Sequence, residues 1–167
     1  MFTASITVDE VIDALANFLQ PLCGNAQIVR AQVNRVPMPL NPCVVLTELL
    51  QVDLSTPEAG NWTPTSGDLT VPTRLDVQID FYDGGASEFC KAVKGVFRSV
   101  YAVSMFPAGI TPLYCSDGVQ ASLVTGEQQY ESRWTITASL QYNASVTVPM
   151  QSAEELAANP LISEVTI

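Results

Sequence analysis

Residues 73–103 read TRLDVQIDFYDGGASEFCKAVKGVFRSVYAV, and two hydrophobic periods follow one another within them. In the first part, apolar side chains occupy every second position from Leu75 to Phe81, with polar side chains between them. A period of two is typical of a β-strand that has one buried face and one solvent-facing face. The first part therefore predicts a strand around which a sheet is built.

An amphipathic helix is predicted for the second part of the same stretch. Asp83, Gly84 and Gly85 interrupt the strand and allow a sharp change of direction. Apolar side chains then recur at spacings of three and four residues, and Ser87 precedes them as a candidate helix cap. The helical stripe consists of Phe89, Val93, Val96, Phe97, Val100 and Tyr101. We expect this helix to fold back onto the apolar face of its own sheet.

The rest of the chain adds one more helix and further strands. Residues 7–22 predict a helix that opens with a capping box between Thr7 and Glu10. Glu48 falls on the apolar side of a predicted strand, which indicates either a bulge or an edge position. These additional strands are predicted at residues 26–33, 43–55 and 128–143. The pattern predicts an α+β fold: one domain over residues 1–148, a mostly antiparallel sheet, and two α-helices packed on one face.

An extended β-hairpin arm or loop is predicted at residues 55–72, because Pro, Gly, Ser and Thr are frequent there. Trp62 lies in the middle of this arm. Two interpretations remain open: Trp62 anchors the arm in a pocket of a partner, or it packs on its own domain and holds the arm down.

A separate C-terminal tail is predicted at residues 149–167. Ser152 and Glu155 are spaced to cap a short helix. Residues 161–167 either add as a strand to a sheet edge, their own or a neighbour's, or form a frayed terminus.

Composition excludes several classes of protein. The 167-residue chain has no histidine, which excludes Ser/His and Cys/His catalytic pairs and histidine metal sites. Its four cysteines show no Cys-x-x-Cys spacing, so we expect buried free thiols, although an even number also permits two disulfides. A formal net charge of −10 should repel nucleic-acid phosphates and anionic membranes. Neither a membrane-spanning segment nor a signal peptide is expected.

Asp76 and Asp80 are the most plausible residues for chemistry. They project from one face of the central strand, with Asp83 close behind, and paired carboxylates can hold Mg²⁺. A nuclease would also need a nearby lysine and a basic groove, and the sequence indicates no such groove. An ordinary solvated strand face is therefore the favoured interpretation.

Two charged stripes lie on the predicted helices. The second helix carries the basic stripe, Lys91, Lys94 and Arg98, and the first helix carries the acidic stripe, Asp9, Glu10 and Asp13. The stripes can pair within one molecule, pair between adjacent subunits of an assembly, or remain solvated faces.

Six short phrases occur in order between residues 35 and 143. They are RVP at 35–37, PCVVLT at 42–47, DVQIDFY at 76–82, PLYCSD at 112–117, QYESRW at 129–134 and LQYN at 140–143. With the order of helix, strands, arm, strand, helix and long strand, they resemble the tail-terminator proteins of long-tailed bacteriophages and, more closely, the phage neck terminator family.

The resemblance implies a structural virion protein and no enzyme, cofactor or metal. It implies a homohexameric ring that caps the tail tube, ends its polymerisation and joins the tail tube, and any sheath, to the head connector. Genomic DNA would pass through the ring without specific binding, and no membrane would be involved. Such a protein would be assembled in the cytoplasm of the bacterial host.

In such a ring, some polar and apolar residues become candidates for protein interfaces. They are Trp62, Lys91, Lys94, Arg98, Asp9, Asp13, Leu161 and Val165. Asp76 and Asp80 become candidates for a wet face turned toward the channel. The alternatives are another ring-forming tail component such as a tube or connector protein, a Mg²⁺-dependent enzyme that uses Asp76 and Asp80, or a monomeric binding domain whose Trp62 arm grips a protein.

Overall fold

The computed structural model describes residues 3–31, 42–82, 85–121, 123–124 and 130–149. Its helices in these ranges are α1 (Val8–Leu19), α2 (Ala86–Phe97) and α3 (Val100–Met105). Its strands there are β1 (Gln27–Arg30), β2 (Cys43–Asp53), β3 (Glu58–Gly60), β4 (Ser66–Tyr82), β5 (Ile110–Cys115), β6 (Val119–Gln120), β7 (Leu123–Val124), β8 (Tyr130–Glu131) and β9 (Arg133–Pro149).

Seven strands form one sheet with the order β1-β2-β4-β9-β5. β3 pairs with β4 and β6 pairs with β9, while β7 and β8 form a separate two-stranded sheet. β1 and β2 run parallel, and the other pairs are antiparallel. The α+β class and the mostly antiparallel sheet predicted from the sequence are confirmed.

β4 and β9 form the longest ladder, which joins Ser66 to Pro149 at one end and Tyr82 to Arg133 at the other. The predicted alternation is confirmed, since Leu75, Val77, Ile79 and Phe81 are buried. The prediction of a loop through residues 55–72 is wrong for its second half, because β4 already begins at Ser66. β9 extends to Pro149 and supplies a hydrogen-bonding partner for residues that look like loop in isolation.

The helices cover one face of the sheet. Apolar residues of α1 and α2 join the buried side chains of β4 and β9 in one core. The rings of Phe18, Phe97 and Phe106 meet at centroid distances of 5.3 to 6.3 Å and tie α1, α2 and the end of α3 together. The predicted capping box is present: Thr7 Oγ1 accepts from the Glu10 amide, and the Glu10 carboxylate accepts from the Thr7 amide.

The single long second helix that we predicted is wrong. α2 ends at Phe97, and the Ser99 hydroxyl then caps a new helix by accepting from the Ala102 amide at 3.2 Å. The break rotates the following residues, so Val100 and Tyr101 are exposed instead of buried. Ser87 is not the cap of α2, which begins after Gly85 without a side-chain cap.

β2 contains the expected irregularity, a bulge between Glu48 and Leu50. The four cysteines, Cys23, Cys43, Cys90 and Cys115, are thiols as expected, and all but the partly buried Cys115 are buried. Burial raises the pKa of both Cys23 and Cys115 to about 12.

Several predictions fall outside the described residues. They concern the turn at Asp83 and Gly84, the helix cap at Ser152 and Glu155, and the predicted strand at 161–167 with its candidate residues Leu161 and Val165.

Candidate interaction surfaces

The polar face of the sheet, opposite the helices, centres on Asp80. Both of its carboxylate oxygens accept from the Arg133 guanidinium, at 3.1 and 3.0 Å. Thr135 and Gln78 donate to the same carboxylate at 2.5 and 2.8 Å. Asp80 is only 3% exposed, so the solvated strand face expected from the sequence is wrong at this residue. Its hydrogen bond to Arg133 raises the pKa of that guanidinium, whose carbon lies 5.7 Å from the centroid of the Tyr82 ring.

Asp76, the other candidate carboxylate on this face, has its own partners. It accepts a hydrogen bond of 2.6 Å from the Ser139 hydroxyl, and Arg74 Nε lies 3.2 Å from its Oδ1. The Arg74 contact is an ion pair without hydrogen-bond geometry. Asp76 and Asp80 are thus each matched by one arginine, and within each pair the two charges offset one another.

This pairing leaves the face poorly suited to a cation. Mg²⁺ binds through carboxylate oxygens that are open to it, and both oxygens of Asp80 are committed to Arg133. Within the ranges that the structure describes, no group of three or more acidic, cysteine or histidine side chains is placed to hold a metal ion. The geometry therefore disfavours the enzyme alternative that rests on Asp76 and Asp80.

A three-stranded arm extends the sheet beyond the helix-covered part. β3 pairs with residues 68–70 of β4, and residues 66–72 of β4 pair with residues 143–149 of β9. Thr70 and Ser145 join their hydroxyls across this ladder at 2.7 Å. The segment expected to be a loose loop is therefore largely a hydrogen-bonded extension of the sheet.

The tip of the arm is a defined turn. Asn61 adopts a left-handed backbone conformation with φ of 49°, and its side-chain amide donates to Asp68 at 3.0 Å. Thr147 donates to the same carboxylate at 2.6 Å, and these two bonds lower the pKa of Asp68. Thr63 exchanges main-chain and side-chain hydrogen bonds with Ser66.

Trp62 stands on this turn with 56% of its surface exposed. The turn is held by the hydrogen bonds around it, so Trp62 is not needed to fasten the arm to its own domain. Of the two interpretations left open by the sequence, the geometry favours a side chain presented outward.

The two charged stripes lie toward opposite sides of the sheet. On α1, Asp9 forms an ion pair with Arg30 of β1, which also binds Glu48 of β2. On α2, Lys94 forms an ion pair with Asp117 after β5. Asp117 raises the pKa of Lys94, and Lys94 lowers the pKa of Asp117.

The stripes do not pair with one another in the described part of the molecule. Asp13, Lys91 and Arg98 are exposed, and none of them forms an ion pair or side-chain hydrogen bond with another described residue. These three charged groups remain available to a partner. Asp13 and Met105 both line a groove of about 530 Å³ between α1 and the end of α3.

Sequence reasoning missed two exposed apolar surfaces. The first is α3, of which Val100 and Tyr101 are part of the stripe predicted to be buried, and the second is the bulged part of β2. The exposed residues are Leu49, Leu50 and Leu54 near β2 and Val100, Tyr101, Val103 and Met105 on α3. The sequence contains a signal for the separate helix α3, because Ser99, a good N-cap residue, lies within the apparent stripe.

Comparison with known protein families gives one result that covers most of the chain. A family model described as phage neck terminator protein matches residues 9–162. No curated protein matches the chain. None of the described helices is both long and apolar enough to cross a membrane.

Proposed function

The chain belongs to the phage neck terminator family, and on this premise we propose that it forms a hexameric ring in the neck of a long-tailed phage. The ring caps the tail tube, ends its polymerisation and joins the tail to the head connector. The observation that carries this proposal is the family match over residues 9–162, which spans nearly the whole chain. As a member of this family the protein is a structural virion component that associates with other tail and neck proteins.

The arm supports a role in joining components. A rigid, hydrogen-bonded extension that ends in an exposed tryptophan is suited to contact another protein, because tryptophan is enriched among the residues that dominate binding energy. We assign Trp62 to a contact with the adjacent tail or neck component. In this proposal the tail tube is the first partner, and the sheath is a further one if the tail contracts.

The polar sheet face supports the passage of DNA through the ring. We assign Asp76 and Asp80 to the channel side. Their partners Arg74 and Arg133 are occupied by carboxylates, so these cations are not free to hold phosphates. The net charge of −10 also disfavours binding of DNA, since a negatively charged protein and a polyanion repel each other.

The remaining assignments concern contacts between subunits and the site of assembly. Asp9, Asp13, Lys91, Lys94 and Arg98 are assigned to protein interfaces. The tail at residues 149–167, with Leu161 and Val165, is assigned to a neighbouring subunit. Assembly takes place in the cytoplasm of the bacterial host.

The proposal is tested by measuring whether the protein limits the length of tail tubes. Purified protein is added to polymerising tail tubes of the phage that encodes it, and tube lengths and ends are measured by electron microscopy. Capped ends and arrested growth are expected, with a ring of about 108 kDa, six times the 18.0 kDa subunit, by native mass spectrometry. Tubes that grow equally long with and without the protein would contradict the proposal.

A further inference from the structure

The outer surface of α3 is almost entirely apolar. We call this surface the α3 face. It consists of Val100, Tyr101, Val103 and Met105, which are 87, 47, 54 and 42% exposed. The one buried residue of the helix is Ala102. A contiguous exposed apolar patch of this kind marks an interaction site more often than scattered single residues do.

A second apolar surface lies along β2, and we call it the β2 edge. It consists of Leu49, Leu50 and Leu54, each about half exposed at 50, 52 and 45%. The bulge at this point opens a groove of about 400 Å³ lined by Glu48, Leu49, Leu50, Gln51 and Leu75. The β2 edge therefore combines three exposed leucines with a groove whose lining is partly polar, whereas the α3 face is an exposed helix surface.

Beyond Leu46, the main chain of β2 has few hydrogen bonds to other described residues on the side of β1. β1 pairs with β2 only from Cys43 to Leu46, and Ala31 adds one more hydrogen bond to the Leu46 carbonyl. In the part of the chain that the structure describes, residues 47–53 are paired on one side only, with β4. An edge of this length invites contact with another chain.

The two surfaces lie on opposite sides of the molecule. α3 contacts α2 and β5, and β5 is the last strand on one side of the sheet. β2 lies toward the other side, next to β1. Two different patches on opposite sides produce head-to-tail contacts, which close into a ring when the rotation between copies allows it.

The charges beside the two surfaces are complementary. Arg98 lies two residues before α3, and Lys91 on α2 is a second exposed cation, whereas Lys94 is already paired with Asp117. Beside the β2 edge Glu48 is already paired with Arg30, and Asp53, the last residue of β2, is an exposed carboxylate that forms no ion pair with a described residue. Copies that each carry a net charge of −10 repel one another, so a basic patch that meets an acidic one both attracts and sets the register.

We propose that the α3 face of one copy docks on the β2 edge of a second copy. The apolar side chains of α3 pack on the exposed leucines of the β2 edge, and Lys91 and Arg98 lie against Asp53. The inference rests on the proposed ring and identifies the contact that builds it.

The first experiment places a charge in the contact. Val103→Asp in the full-length chain is compared with Val119→Asp, a matched control at a valine of similar exposure on β6, outside both surfaces. Native mass spectrometry measures the amount of ring, both in solution and on tube ends. This amount should fall at least tenfold for Val103→Asp and stay unchanged for Val119→Asp. Thermal unfolding of both variants should match the wild type, because both positions are exposed.

The second experiment joins the two surfaces covalently. A variant with Val103→Cys and Leu50→Cys should form, on mild oxidation, a ladder of disulfide-linked multimers that ends at the closed ring. Each variant with only one of the two added cysteines should give no ladder. A head-to-tail contact brings position 103 of one copy to position 50 of the next, and not two identical positions together.

The outcomes separate this contact from the function. If wild type and Val103→Asp form the ring and cap tubes equally well, the inference is wrong and the proposed function stands. The inference is also wrong if Val119→Asp disrupts the ring as strongly as Val103→Asp. It is equally wrong if a variant with one added cysteine cross-links as well as the variant with both. If the wild type neither forms a ring nor caps tubes, the proposed function itself is wrong.

Discussion

The same two strands, β4 and β9, build two regions that are held in different ways. Under the helices, residues such as Leu75 and Leu140 face each other in a core without solvent contact. In the arm, where the helices no longer cover the sheet, side-chain hydrogen bonds such as that from Thr147 to Asp68 join the strands. Burial of apolar surface provides most of the stability of a domain, whereas a hydrogen bond adds little net free energy but fixes geometry. The covered region therefore determines whether the chain folds, and the arm is free to be shaped for contact.

The largest effect on stability is expected in the covered region, at Phe97. Its side chain has no exposed surface, and its ring packs against Phe18 and Phe106. Phe97→Ala should lower the free energy of unfolding by about 3–5 kcal/mol, because it removes buried area and leaves a cavity. Urea denaturation measures the change. A loss as small as that of an arm variant would contradict the division into two regions.

A smaller effect is expected at Asp80, which lies in the covered part of β4 but on the polar face. Asp80→Asn leaves the guanidinium of Arg133 partly buried without its counter-charge. The free energy of unfolding should fall by about 1–3 kcal/mol, less than for a fully buried pair because Arg133 keeps some contact with water.

A double variant provides the control for Asp80. In Asp80→Asn with Arg133→Met, part of the lost stability should return, since no unpaired charge then remains. If the double variant loses more free energy of unfolding than the two single variants lose together, the pair of Asp80 and Arg133 is not the reason for the loss.

The next prediction concerns the stability of the arm at low pH. The hydrogen bonds from Thr147 and Asn61 hold the pKa of Asp68 below its ordinary value of 3.8. A carboxyl group whose pKa is lower in the folded state stabilises that state above 3.8 and loses this contribution as the pH falls through the folded pKa. The strands of the arm should therefore loosen at a pH below 3.8.

An NMR titration of the Asp68 carboxyl and of nearby arm amides measures this effect. Both signals should share one midpoint below 3.8, and Thr147→Val should move that midpoint upward. Asp68→Asn should remove the transition of the arm amides. A wild-type midpoint at or above 3.8 would show that these bonds do not favour the charged carboxylate.

The smallest effect on stability is expected at Trp62. Because this side chain is largely exposed at the arm tip, Trp62→Ala should change the free energy of unfolding by less than about 0.5 kcal/mol. Tube capping should nevertheless weaken, if Trp62 contacts the adjacent component. Trp134→Ala is the contrast, since Trp134 packs against the core and its loss should destabilise the fold. Equal destabilisation by both variants would mean that Trp62 also belongs to the core.

Much of the covered region was predictable from the sequence because its signals are local. The alternation from Leu75 to Phe81 identified the central strand, and Thr7 with Glu10 identified the start of α1. The phase of Glu48 indicated a bulge or an edge position in β2, and the structure contains a bulge there. Each of these depends on residues within one element.

The arm and the candidate surfaces were less predictable because they depend on distant partners. Residues 66–72 become a strand since β9 continues beside them for the same distance. Asp80 is neutralised by Arg133, 53 positions away in the chain. The exposure of Val100 follows from one competing local signal, the capping by Ser99, which outweighs the hydrophobic period.

The uninterrupted ladder of β4 and β9 has a mechanical consequence. Each strand has 17 residues, so the pair forms a beam of roughly 55 Å that runs from the arm tip into the core. A pull on the tip along the strand axis acts on the hydrogen bonds of the ladder in shear, and many of them resist it together. A pull across the axis would instead open them one after another from the tip. The arm is therefore stiff along its length and compliant sideways, and a force applied at its tip along the axis is transmitted to the helix layer.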